Sequence, residues 1–160
     1  MDFIRKVQER TARVAVIGVG YVGLPLVVEF GRQGFPVSGF DLDPAKVEAL
    51  NAGSSYIHHI PAAEIKALVE GGRLRAYTDF SRLAEQDAIL ICVPTPLNEM
   101  REPDLRYVEQ SARQVAQTLR PGQLVVLEST TYPGTTEELV LPILEKSGLP
   151  CSRDGDSTEP

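Results

Sequence analysis

Three glycines and one carboxylate are the residues in this chain whose types and spacing carry chemistry. Gly18, Gly20 and Gly23 stand in the run GVGYVG, and Asp41 lies 23 positions beyond the first of them. In a strand-turn-helix unit the first such glycine makes the tight turn. The second lets backbone approach a pyrophosphate, and the third lets helix and strand pack closely. Unpaired amides and the helix dipole favour an anion at that place. A carboxylate about twenty residues on accepts hydrogen bonds from ribose hydroxyls. It also repels a 2′-phosphate, by ~1 kcal/mol per charge pair at contact in water and up to ~4 at an intermediate dielectric. Asp43 adds a second negative charge and no arginine follows closely, so the pattern favours NAD over NADP. The same glycines also suit a turn that binds nothing, and context decides. The motif follows the apolar run Val14 to Ile17, opens the apolar helix LPLVVEFGRQG, and is followed by a second strand, PVSGFD.

The remaining polar candidates are weaker by themselves. Lys46, five positions beyond Asp41, suits either contact with a ribose or phosphate or a solvated surface site. Val93, Pro94 and Thr95 end an apolar strand, and the C-terminal ends of parallel strands are where open α/β sheets bind ligands. Thr130, in ESTTYPGTTEELV just past another strand, serves equally as part of a capping loop or of a site. Adjacent histidines, His58 and His59, point different ways on any regular element and have no third ligand nearby, so a metal site is not expected. Cys92, inside AILICV, reads as a small buried hydrophobe rather than a reactive thiol, and Cys151 is assigned nothing. Two cysteines give no disulfide framework, and a reducing cytoplasm fits.

The elements that must position these residues follow from apolar periodicity. At 160 residues the chain suits one domain, and a net charge of −6 gives no support for nucleic acid or an anionic membrane as partner. Residues 2 to 10 read as a short amphipathic helix without the apolar core of a signal peptide, and no 18-residue apolar run exists. Further strands are expected at Leu74 to Thr78, Ala88 to Val93 and QLVVLE. Helices are expected from Asp43 and Pro44 to Asn51, from Pro61 to Gly71, over Phe80 to Glu85, from Leu105 to Leu119, and from Pro133 and Gly134 to Lys146. Thr135 or Thr136 is the expected cap of the last. This alternation predicts an α/β fold, a doubly wound parallel sheet (Rossmann fold) in the order 3-2-1-4-5, stopping before the later strands. The expected division is an NAD-binding domain over 1–150 and a disordered tail over 151–160.

With these motifs in place the chain resembles the UDP-glucose/GDP-mannose dehydrogenase family over about residues 10 to 150. The resemblance rests on GVGYVGLPLVVEF, FDLDPAKVEALNAG, VPTP and STTYPGTTEE, in the family's order. The wording of SYIHHIP and of the segment after Val126 looks most like the UDP-N-acetylglucosamine 6-dehydrogenase branch. Such a resemblance implies oxidation of the C6 alcohol of a nucleotide sugar to a carboxylate, with two NAD⁺ and an enzyme-bound thioester. It places the nucleophilic cysteine, a lysine and an asparagine beyond this chain, and neither Cys92 nor Cys151 matches the nucleophile's motif. It puts Gly18, Gly20, Tyr21, Val22 and Gly23 around the pyrophosphate, and Asp41 and Lys46 on the adenosine ribose. Val93, Pro94 and Thr95 line the cofactor cleft, and Thr130 is an auxiliary hydroxyl near the nicotinamide and the catalytic water. The tail SRDGDSTEP has no counterpart, as in a truncated or frameshifted product or a cloned fragment. The expectation is a chain that binds NAD without turnover, a UDP-sugar being a partner only of a full-length enzyme. A stand-alone NAD-binding module is the alternative; a hydroxyacid dehydrogenase is disfavoured by STTYPGTT. An exposed fifth-strand edge would promote self-association.

Overall fold

In a computed structural model, residues 3–97 and 101–151 are described. Five parallel strands, β1 (Val14–Ile17), β2 (Val37–Phe40), β3 (Leu74–Tyr77), β4 (Ala88–Ile91) and β5 (Leu124–Leu127), form one sheet in the order β3-β2-β1-β4-β5. The helices are α1 (Phe3–Gln8), α2 (Gly23–Arg32), α3 (Pro44–Asn51), α4 (Ala62–Glu70), α5 (Arg106–Thr118) and α6 (Leu141–Glu145). The predicted strand order is the one observed, and the predicted strands and helices recur with local departures.

Side chains alternate across a strand, so each strand feeds two cores. Val14 and Val16 join Leu24, Val27, Val47, Leu50 and Ile65 on the side covered by α2, α3 and α4. Ala15 and Ile17 join Phe40, Ile89, Val108, Val115 and Ile143 on the side covered by α5 and α6. Burial on both faces is why β1 and β4 are apolar at every position. The strands run level: Ile17 lies beside Phe40 and Ile91, Phe40 beside Tyr77, and Ile91 beside Leu127. Their C-terminal loops, at 18–22, 41–43, 92–97 and 128–135, therefore gather at one edge.

Local departures from expectation have local causes. β4 stops at Ile91 rather than Val93: Cys92 still donates to the Ile17 carbonyl at 2.8 Å, but Pro94 has no N–H to extend the ladder. The Phe80–Glu85 segment is 3₁₀, started by Asp79, whose carboxylate accepts from the Ser81 amide. The last helix is not one α-helix. A π-helical stretch, Thr136–Val140, leads into α6, whose second residue, Pro142, lacks a donor and crowds the carbonyl four residues back. Thr135 occupies the capping position without capping: its backbone is already helical, at φ −55° and ψ −36°, and its hydroxyl donates to the Tyr132 carbonyl at 2.8 Å.

At the opposite end of the sheet, buried Asp87 ties three segments together. It accepts from Lys6 Nζ at 2.6 Å, the Arg13 amide at 2.9 Å and Arg120 at 2.9 Å. Among the described residues no helix is long and apolar enough to cross a membrane. The expected tail disorder falls, from residue 152 on, outside the described residues; Cys151 is half-buried against the second core.

Candidate functional site

The site begins with the turn after β1. Gly18 has φ +88°, in the left-handed region, and its amide donates to the Phe40 carbonyl at 2.7 Å. A β-carbon on it would stand 2.7 Å from the Cys92 carbonyl, so the turn is pressed against the end of β4 beside Val93. At Gly23 a β-carbon would stand 1.8 Å from the Gly18 carbonyl oxygen, and only glycine lets α2 start this close to β1. Gly20 is different. A β-carbon there would meet nothing within 4 Å, so its surface is open to an approaching group. Among the described residues the amides of Gly20, Tyr21 and Val22 donate to no protein acceptor. Tyr21 and Val22 are themselves exposed, at 78% and 57%. Three unpaired N–H groups before a helix N-terminus, with glycine leaving the approach clear, fit a pyrophosphate.

Asp41 follows β2 and leans over this turn. Its Oδ2 accepts from the Val19 amide at 3.1 Å and from Lys46 Nζ at 3.3 Å, and its Oδ1 from the Asp43 amide at 3.0 Å. A carboxylate has about four acceptor positions, so Oδ1 keeps one for a ligand hydroxyl while Lys46 offers a donor beside it. That pair matches the two hydroxyls of a ribose. Asp43 acts elsewhere, because its carboxylate caps α3 through the Ala45 amide at 2.9 Å, which holds Lys46 on the first turn at a gain of ~1 kcal/mol.

The loops after β4 and β5 form the other side. Thr95 Oγ1 donates to the Thr130 carbonyl at 2.8 Å, and Ser129 Oγ donates to the Val93 carbonyl at 2.8 Å. The structure therefore brings Val93, Pro94, Thr95 and Thr130 into one cross-linked pair of loops, with Val93 next to Gly18. Thr95 uses its hydroxyl internally, while Thr130 contributes its carbonyl to this link and is exposed. Cys92 is buried beneath the turn; burial, then the charge of Glu128, pushes its thiol up to about 12, so it is inert near neutrality.

Three residues of the site escape sequence reasoning. Ser129 acts on a carbonyl 36 residues away. Gly39, in β2, makes room for Val19: a β-carbon on it would lie 3.0 Å from Val19 Cγ1. Tyr56 donates its hydroxyl to the Val19 carbonyl at 2.6 Å. Burial, then the charges of Asp41 and Asp43, hold its phenol protonated well above the ordinary range. A mostly apolar concavity lies elsewhere, between β5 and α6, lined by Leu124, Val140 and Leu144.

Residues 12–153 match the sequence profile of the UDP-glucose/GDP-mannose dehydrogenase family, NAD binding domain. UDP-N-acetyl-D-glucosamine 6-dehydrogenase of Pseudomonas aeruginosa is 39% identical over 89% of this chain and 33% of its own length. UDP-N-acetyl-D-mannosamine dehydrogenase of Escherichia coli K12 is 43% identical over 80% of this chain and 30% of its own. The crystal structure of NDP-N-acetyl-D-galactosaminuronic acid dehydrogenase from Methanosarcina mazei Go1 superposes with a TM-score of 0.83 at 34% identity, covering 96% of this chain and 36% of that one. The chain spans about one third of the length of the curated relatives it matches.

Proposed function

Because the chain belongs to the UDP-glucose/GDP-mannose dehydrogenase family, as its NAD-binding domain, we propose that it serves a nucleotide-sugar 6-dehydrogenase acting on a UDP-N-acetylhexosamine of the N-acetylglucosamine type. The substrate reading is supported by the relatives at 39% and 43% identity, whose names carry UDP-N-acetylglucosamine and UDP-N-acetylmannosamine. Cofactor placement is carried by one observation. The unpaired amides of Gly20, Tyr21 and Val22 lie in the turn whose Val19 amide is bound to Asp41, and Asp41 in turn holds Lys46.

In this reading Gly20, Tyr21 and Val22 hold the pyrophosphate by backbone donation, with Gly18 and Gly23 shaping the turn. Asp41 and Lys46 hold the adenosine ribose, and the Asp41 carboxylate disfavours a 2′-phosphate. Val93, Pro94 and Thr95 line the cleft on the far side of Gly18, and Thr130 presents a hydroxyl toward the nicotinamide end. Bound NAD⁺ supplies the acceptor for hydride. The residues of this chain bind and orient, and the Cys92 thiol, buried and protonated, is no nucleophile. The buried, unoxidised Cys92 thiol suits a cytoplasmic setting. A UDP-sugar is bound only together with the remaining two thirds of a full-length enzyme.

Calorimetric titration of the purified chain with NAD⁺, NADH and NADP⁺ tests this. Saturable binding of NAD(H) that discriminates against NADP⁺, with discrimination lost in Asp41→Ala, is expected. A folded sample that binds none of them would refute the cofactor site. Nucleotide-sugar-dependent NADH formation by this chain alone is expected to be absent, and its detection would overturn the assignment of turnover to the rest of the enzyme.

A further inference from the structure

Tyr56 lies in the connection between α3 and α4, far in sequence from the glycine turn yet bonded to it. Ile57 and Ile60, 3% and 7% exposed, anchor this connection in the core beneath α2. Ser55 tightens it, its hydroxyl donating to the Ile57 carbonyl at 2.9 Å. Tyr56 is thereby held with its ring partly exposed and its hydroxyl 2.6 Å from the Val19 carbonyl.

Val19 is fully buried and fixed at both ends of its backbone: its amide by Asp41, its carbonyl by Tyr56. The carbonyl belongs to the Val19–Gly20 peptide, which is planar and trans. In such a unit C=O and N–H point in opposite directions. Holding the Val19 carbonyl toward Tyr56 therefore turns the Gly20 amide away from it, and among the described residues that amide meets no protein acceptor. Gly20 opens the run of three unpaired amides. We propose that Tyr56 is a positioning residue of the cofactor site, which sets the peptide plane from which the Gly20 amide donates to the pyrophosphate, and that it does so without touching the cofactor's adenosine. This rests on the NAD-binding reading of the same turn. A phenol kept protonated across the working pH range is a constant donor for this purpose.

The test measures the affinities of wild type, Tyr56→Phe and Ile57→Val for NAD⁺, ADP and adenosine, with melting temperatures alongside. Tyr56→Phe removes one hydroxyl; Ile57→Val loosens the same connection without touching Val19. Expected is an affinity loss of about three- to tenfold for NAD⁺ and ADP in Tyr56→Phe, the net worth of a hydrogen bond. Adenosine, held by Asp41 and Lys46, should bind it as it binds wild type, and Ile57→Val should bind all three as wild type does. Wild-type affinities for all three in Tyr56→Phe would overturn the positioning role, as would an equal loss for adenosine. An equal diphosphate-specific loss in Ile57→Val would overturn it too, by making the effect one of general loosening. Failure of folded wild type to bind any of the three would instead refute the cofactor site itself, and Tyr56's role with it.

Discussion

At Gly23 a β-carbon would stand 1.8 Å from the Gly18 carbonyl oxygen, so Gly23→Ala must push α2 away from β1. Overpacking of this kind costs about 1–3 kcal/mol. In a domain this size that corresponds to a melting temperature lower by roughly 3–10 °C. Because the displaced segment carries the Gly20–Val22 amides, NAD⁺ affinity should fall with it; thermal melts and calorimetry on one sample check both. Asp41 combines two roles, and substitution separates them. Asp41→Asn keeps an acceptor for the Val19 amide but removes the charge beside Lys46. The preference for NAD⁺ over NADP⁺ should then shrink by about tenfold, the lower range of one charge pair near a protein surface. An unchanged preference would mean that another group reads the ribose.

Among the elements, α1, the start of β1 and the approach to β5 are joined through Asp87, the buried carboxylate at the end of the sheet away from the site. Burial alone would raise its pKa, but hydrogen bonds from the Arg13 amide, Lys6 and Arg120 outweigh it and the value lies below the ordinary carboxylate range. A lowered folded pKa gives stability that is complete above the unfolded value of ~3.9 and is lost as pH falls through the folded one. Asp87→Asn should therefore cost about 1–3 kcal/mol at neutral pH. It should also lose less stability than wild type when acidified below about pH 4. Parallel acid dependences in denaturant titrations would contradict this. The strands and their order were legible because each run is short and punctuated by glycine or proline, and because the central β1 and β4 are buried on both faces. Gly18, Gly20, Gly23 and Asp41 were legible because their spacing is set within one continuous strand-turn-helix-strand segment. Tyr56, Ser129 and Gly39 were not, since each acts on a backbone or side-chain atom that the topology brings from a distant stretch. The π-helical turn before α6 was missed although Pro142 stood in view. An amphipathic pattern around a proline does not say whether the chain breaks or widens to pass it.

For the molecule as a whole, β5 is one of the sheet's two edges and the more open one: Leu124 is 45% exposed and the other three residues are only half-buried. An apolar edge with unpaired backbone groups favours pairing with another chain. In size-exclusion chromatography the apparent mass of this chain should rise with loading, and Leu124→Lys should suppress the rise. A sharp monomer peak at high concentration in wild type would contradict it. The level ends of β1, β2, β4 and β5 bring the site's four loops together on a fold that relatives about three times as long share. The central claim concerns the turn itself, that Gly20, Tyr21 and Val22 hold a pyrophosphate through their backbone. An NMR titration with NAD⁺ tests it most directly, by following the amide resonances of a ¹⁵N-labelled chain. Saturable shifts at those three amides, with the Lys46 region moving at the same ligand concentration, are the expected result. Saturable binding that leaves those three amides unmoved would contradict it.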